Sequence, residues 1–147
     1  MVATSRSDQG VPLRVERVVA TVNAIADELT LNGLVQRYKV EETDDGLAGE
    51  EGTFAICSFW LVSALEEINE HNRARTLCEK LLSYASPLGL YAEEIDPRTG
   101  RHLGNFPQAF THLALINAVM HVIRADQQLE PKEFSLEREL ERTRANR

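Results

Sequence analysis

Side chains able to move protons or grip a hydroxyl-rich ligand concentrate in two stretches of this 147-residue chain. The second stretch, LGLYAEEIDPRTGRHLGNFPQAFTH, sets Glu93 and Glu94 just before Asp96-Pro97-Arg98-Thr99-Gly100, a strong turn signal. Neighbouring residues of an extended segment point to opposite sides, so only one of the two glutamates can face a given pocket. A Glu-Glu pair in a loop is by itself a modest pointer to acid–base work. The first stretch, GLVQRYKVEETDDGLAGEEGTF, offers the donor fork of Arg37 beside the ring and hydroxyl of Tyr38. An aromatic face plus charged hydrogen-bonding groups is how sugars are held. Glu41, Glu42, Asp44, Asp45, Glu50 and Glu51 add acceptors there, although solvated loop charges or helix caps account for such residues equally well. Asn105, ahead of Phe106-Pro107, has the look of a helix-start signal.

Other chemistries are poorly represented. His71, His102, His112 and His121 show no metal-ligand spacing, and Cys57 and Cys78 form no CxxC and lie within helical patterns, as buried thiols do. There is no Gly-rich phosphate loop, no GxSxG and no Cys-His constellation, so no cofactor or metal is expected. The net charge of −7 argues against a nucleic-acid footprint. No apolar run reaches the roughly 18 residues of a membrane span, and the first ten residues lack the apolar core of a secretory signal. A cytoplasmic setting is expected.

The elements that must position these loops read as helices. Val15, Val18, Val19, Val22, Ile25 and Leu29 form one apolar stripe over Leu13 to Leu29, with Gly33 as a stop signal. From Thr53 to Ile68 the helix is apolar on every side, which predicts burial on every side. From Arg73 to Ala85 a single stripe returns (Ala74, Leu77, Cys78, Leu81, Leu82), and Gln108 to Arg124 is again apolar nearly all round. Alternation of one-sided and all-apolar helices predicts outer and inner layers, where a plain four-helix bundle would repeat one-sided stripes. The inner-to-outer link near Asn69 to Asn72 is short. The outer-to-inner links, Thr30 to Gly52 and Ser86 to Pro107, are long and emerge at one end, beside the inner helices' N-termini. Residues 1–12 are expected to be a flexible N-terminus, residues 13–125 the domain, and residues 126–147 a charged helical tail.

Three segments, GLVQRY, DDGLAGEEGTFAICSFWLVSAL and AEEIDPRTGRHLGNFPQAFTHLALINA, in this order and spacing, resemble glycoside hydrolase family 15, which includes glucoamylases and bacterial trehalases. The resemblance covers roughly residues 20–125. It implies an all-α fold, the C-terminal part of an (α/α)6 barrel with about four to five helices in two layers and the site at the inner-helix N-termini. It also implies inverting hydrolysis of α-glucosidic bonds in trehalose or α-glucan oligosaccharides, with one carboxylic acid protonating the leaving oxygen and a second carboxylate activating water. On the matching positions the water-activating base is Glu93, with Arg37, Tyr38, Glu50 and Glu51 binding sugar.

This sequence departs from the family at the general acid, which lies well upstream, in a Trp-Glu segment on an earlier part of the barrel: the single tryptophan here, Trp60, is followed by Leu61. The resemblance therefore implies the base without the acid, and a chain inactive by itself. Its expected partners are an oligosaccharide or disaccharide when complemented, and either the missing N-terminal portion of the barrel or further copies of itself. A helical binding or scaffold protein derived from the family is the alternative.

Overall fold

A computed structural model describes residues 13–38 and 52–145. Four helices dominate them: α1 (Leu13–Glu28), α2 (Ala55–Glu67), α3 (His71–Leu82) and α4 (Ala109–Ala145). Short strands occupy the long connections: β1 (Thr30–Leu31), β2 (Leu34–Val35), β3 (Thr53–Phe54), β4 (Glu94–Ile95) and β5 (His102–Leu103).

The layering follows the apolar patterns. The inner helices α2 and α4 pack on each other, α3 lies against both, and α1 rests on α2. The α4 residues buried in this packing are small: Thr111, Ala114 and Ala118, spaced three and four apart on one face, which lets the helices approach closely. From α2 come Phe59, Val62 and Leu65, and from α3 Ala74, Cys78 and Leu81. The arrangement is all-α and matches an inner and outer segment of a helical barrel.

Two differences from the sequence expectations are physical. The pattern of α2 predicts burial all round, yet Trp60 is 57% exposed, because α1, α3 and α4 leave its flank uncovered among the described residues. On α4, Phe110, Leu113, Ile116, Met120 and Ile123 are likewise exposed, forming one apolar stripe with spacings of three, three, four and three. The second difference concerns length. The charged segment after Arg124 is continuous with α4, which runs through Pro131 to Ala145, so this proline forgoes one backbone hydrogen bond without ending the helix.

Both long connections end in β-structure. Asn32 (φ 48°) and Gly33 (φ 75°) make the two-residue turn of the β1–β2 hairpin, with Leu31 opposite Leu34. Positive φ at both positions is the turn whose twist suits a two-residue hairpin, and Asn-Gly is its preferred sequence. Lys80 of α3 donates to the Asn32 carbonyl, and Asn32 Nδ2 donates to the Pro97 carbonyl at 2.9 Å, so the hairpin is pinned to the second loop. β3, β4 and β5 form an antiparallel sheet in that order, with Phe54 opposite Glu94 and Glu94 opposite Leu103. The two loops therefore meet at one end of the helix pair.

Candidate active site

The segment Tyr91–Ile95 crosses the N-terminal ends of both inner helices. The Gln108 N–H, one residue ahead of α4, donates to the Tyr91 carbonyl at 2.9 Å, and Thr111 Oγ1 donates to the Ala92 carbonyl at 3.1 Å. The Ala55 N–H, first in α2, donates to the Glu93 carbonyl at 3.0 Å. Phe54, the N-cap residue of α2, has no side-chain cap, so the helix start is satisfied by a carbonyl from the crossing segment. Thr53 Oγ1 completes the lacing by donating to the Ile95 carbonyl at 2.7 Å.

Tyr91 anchors this segment in the core. Its ring meets Phe59 edge-on at 5.5 Å, and its hydroxyl donates to the Leu81 carbonyl at 3.0 Å. Burial, with Cys78 nearby, pushes the phenol up to about 12, so it stays a neutral donor. The Tyr91 N–H donates to His112 Nε2 at 3.2 Å, which leaves His112 Nδ1 as the protonated nitrogen, 2.7 Å from the Gln108 carbonyl. His112 is thereby a strut between the segment and α4.

The two adjacent glutamates diverge. Gly52 N–H donates to Glu94 Oε2 at 3.0 Å, so this carboxylate holds the end of the first loop. Glu93 is half-buried on the other side, where Asn105 Nδ2 donates to its Oε2 at 3.1 Å and the Asn105 N–H approaches the same oxygen at 3.4 Å. Asn105 stands four residues ahead of α4 and serves Glu93 rather than capping the helix. Gly104 makes the approach possible: at φ 72° it occupies the left-handed region, and a Cβ on it would lie 3.0 Å from Glu93 Oε2. Gly104→Ala is expected to lower stability in urea unfolding by about 1–2 kcal/mol, the left-handed penalty for a residue with a Cβ. An unchanged midpoint would remove Gly104 from the architecture of the site.

Arg37 reaches the same end through Phe54. Its guanidinium lies 4.7 Å from the Phe54 ring centroid and 4.8 Å from that of Tyr38, with Nη2 donating to Tyr38 Oη at 3.1 Å. Phe54 is paired with Glu94 in the sheet, so Arg37, Tyr38 and the Glu93–Glu94 segment share one end of the fold. Glu50 and Glu51, with Glu41, Glu42, Asp44 and Asp45, lie outside the described residues. Asp96 makes the expected turn, taking the Arg98 N–H at 2.8 Å and the Thr99 hydroxyl at 2.6 Å. Those bonds, led by Thr99, hold its carboxyl below the usual range.

The thiols are poor nucleophiles. Burial raises Cys57, partly opposed by Arg37, and burial followed by Glu79 and Glu66 raises Cys78. Among the described residues no group of three His, Cys, Asp or Glu side chains gathers as metal ligands do, and no helix is long and apolar enough to cross a membrane. Asn105, Gly104 and His112 escaped the sequence reading as parts of the site. The signal available was the Gly-Asn pair in LGNFPQ, a turn dipeptide placed between the glutamates and the last helix.

Residues 66–120 match the sequence profile of glycosyl hydrolases family 15, the family that the motifs of both long loops resemble. The chain belongs to that family. Among curated relatives it is 79% identical over 114 residues to a trehalase of Mycolicibacterium smegmatis, and 76% identical over 114 residues to one of Mycobacterium tuberculosis. A trehalase of Thermoplasma acidophilum is 44% identical over 107 residues. The matches cover 78%, 78% and 72% of this chain but only 17%, 17% and 18% of the relatives, so the chain spans less than a fifth of their length. No solved structure matches.

Proposed function

We propose that this chain supplies the general-base side of a trehalose-hydrolysing site. In this reading Glu93 takes a proton from a water that attacks the anomeric carbon opposite the leaving glucose, with inversion. Arg37 and Tyr38 bind sugar hydroxyls, with Glu50 and Glu51 alongside them. In this reading the general acid comes from outside this chain: the family carries it in a Trp-Glu segment on an earlier part of the barrel, and the single tryptophan here, Trp60, is followed by Leu61. In such enzymes the two carboxyl groups stand roughly 6.5–9.5 Å apart to admit the water. The observation that carries the reading is the placement of Glu93: its backbone is held by the start of α2 and the turn at Asn105, and one carboxylate oxygen is engaged. Trehalose is preferred to α-glucan because the relatives named above are trehalases. The two free thiols suit a cytoplasmic setting.

The partner in this reading is the rest of the barrel, which would cover Trp60 and the exposed stripe of α4. The test replaces the matching stretch of the Mycolicibacterium smegmatis trehalase with that of this chain and measures glucose release from trehalose and from maltose. Release from trehalose by the graft, and none by this chain alone, is expected. A folded graft without trehalose hydrolysis would refute the assignment and favour a binding or scaffold role.

A further inference from the structure

We infer that Asn105 is the positioning residue for Glu93: its side-chain amide and main-chain N–H hold Oε2, so that Oε1 is the oxygen turned toward a reacting water. The inference rests on the proposed role of Glu93 as base.

A carboxylate offers about four lone-pair sites on two equivalent oxygens, and a glutamate side chain reaches them through a flexible stem. Nothing intrinsic to glutamate decides which oxygen meets water. Here the choice is made by one neighbour. Residues 93 and 105 are joined three times: Glu93 N–H to the Asn105 carbonyl at 2.9 Å, Asn105 Nδ2 to Glu93 Oε2 at 3.1 Å, and Asn105 N–H to the same oxygen at 3.4 Å. Two of the three fall on Oε2, whereas among the described residues no hydrogen bond to Oε1 is present. Gly104 narrows the geometry further, because its Cα side faces the carboxylate with no room for a side chain. A base held in one rotamer before substrate arrives needs no reorganisation when the water is deprotonated.

A turn or cap role for Asn105 makes a different prediction, since aspartate serves nearly as well as asparagine in caps and turns. Against Glu93, aspartate would replace a donor with a second negative charge. Thermal unfolding of the full chain is therefore measured at pH 7 for Asn105→Ala, Asn105→Asp, Glu93→Gln and the double variant Asn105→Asp/Glu93→Gln. At pH 7 Asn105→Asp is expected to unfold roughly 3 °C below Asn105→Ala. The deficit is expected to vanish in the Glu93→Gln background. An Asn105→Asp chain as stable as wild type at pH 7, or a deficit that Glu93→Gln does not relieve, overturns the contact. Should Asn105→Asp fail to fold, restoration of folding by Glu93→Gln supports it and continued failure overturns it.

The catalytic arm uses the graft. Asn105→Ala is expected to lower kcat about 10- to 100-fold with KM within about twofold, as misplacement of a catalytic group does. An unchanged kcat overturns the positioning role. Because the unfolding arm needs no hydrolysis, loss of the proposed function through a harmless Glu93→Gln is distinguishable from loss of this inference.

Discussion

Glu93→Gln in the graft is expected to lower trehalose hydrolysis by about 10²–10⁴-fold, the usual worth of a general base. Glutamine keeps the shape of the side chain and a carbonyl oxygen that accepts the Asn105 amide, so the local fold survives. Its amide nitrogen carries no lone pair able to take a proton from water. The loss is therefore expected in kcat, with KM nearly unchanged. Glu94→Gln is the internal control, because Glu94 holds the Gly52 N–H and a glutamine oxygen still accepts that bond. It is expected to cost less than tenfold on the scale of one neutralised hydrogen bond. Steady-state kinetics on both variants decide the matter: a larger loss at position 94 than at position 93 would reverse the assignment of the two glutamates.

The chain on its own is expected to self-associate, and Leu113→Lys combined with Ile116→Lys to return it to a monomer. Leu113 and Ile116 are each 58% exposed and Phe110 is 66% exposed. With Met120 and Ile123 they run along 14 residues of α4, roughly 20 Å at 1.5 Å per residue. Apolar area leaves water at about 25 cal/mol per Å², so a stripe of five large side chains is a strong drive toward any matching surface. Substitutions at 113 and 116 do not touch the seam made by Thr111, Ala114 and Ala118, so the helix pair itself is expected to remain folded. Sedimentation velocity across a tenfold concentration range reads the outcome. A monomer at every concentration before substitution would mean that the stripe is not sticky enough to need a cover.

The helices and their layering were legible because each carries its burial in its own periodicity: Ala74, Cys78 and Leu81 are buried as their spacing requires. What the pattern could not encode is which neighbours are present, and Trp60 shows this directly, apolar by position and solvent-facing in fact. Asn32-Gly33 was legible as a stop, but its pairing of Leu31 with Leu34 depends on both flanking residues being extended, which two-residue strands hardly signal. The start of α2 was placed within two residues, at Thr53 against the observed Ala55, but its cap was not legible. The N-cap residue is Phe54, with no capping side chain, and the Ala55 N–H is met by the carbonyl of Glu93 from a distant part of the chain. Asn105 misled in the opposite direction. Its local context reads as a helix start, while its amide is used on a carboxylate twelve residues away. Candidate residues joined by long-range hydrogen bonds leave little trace in local composition, whereas those proposed from a family motif, Glu93, Arg37 and Tyr38, stand out by resemblance.

The crossing of Tyr91–Ile95 over two helix ends also sets the tempo at which this region opens. The amides of Ala55, Glu93 and Gln108 each bond across the junction, to the carbonyls of Glu93, Asn105 and Tyr91. The Ala55 and Gln108 amides meet solvent only if the segment lifts from a helix, and the Glu93 amide only if it parts from the turn at Asn105, while Tyr91 ties the segment to the buried ring of Phe59. In hydrogen–deuterium exchange these three amides are therefore expected in the slowest class, exchanging with the core of α2 instead of with the surrounding turns. Exchange at turn-like rates would show that the segment breathes independently of the helices. Slow exchange would put the proposed protonation site inside the fold's most persistent unit, so that a substitution loosening one would register as a shorter lifetime of the other.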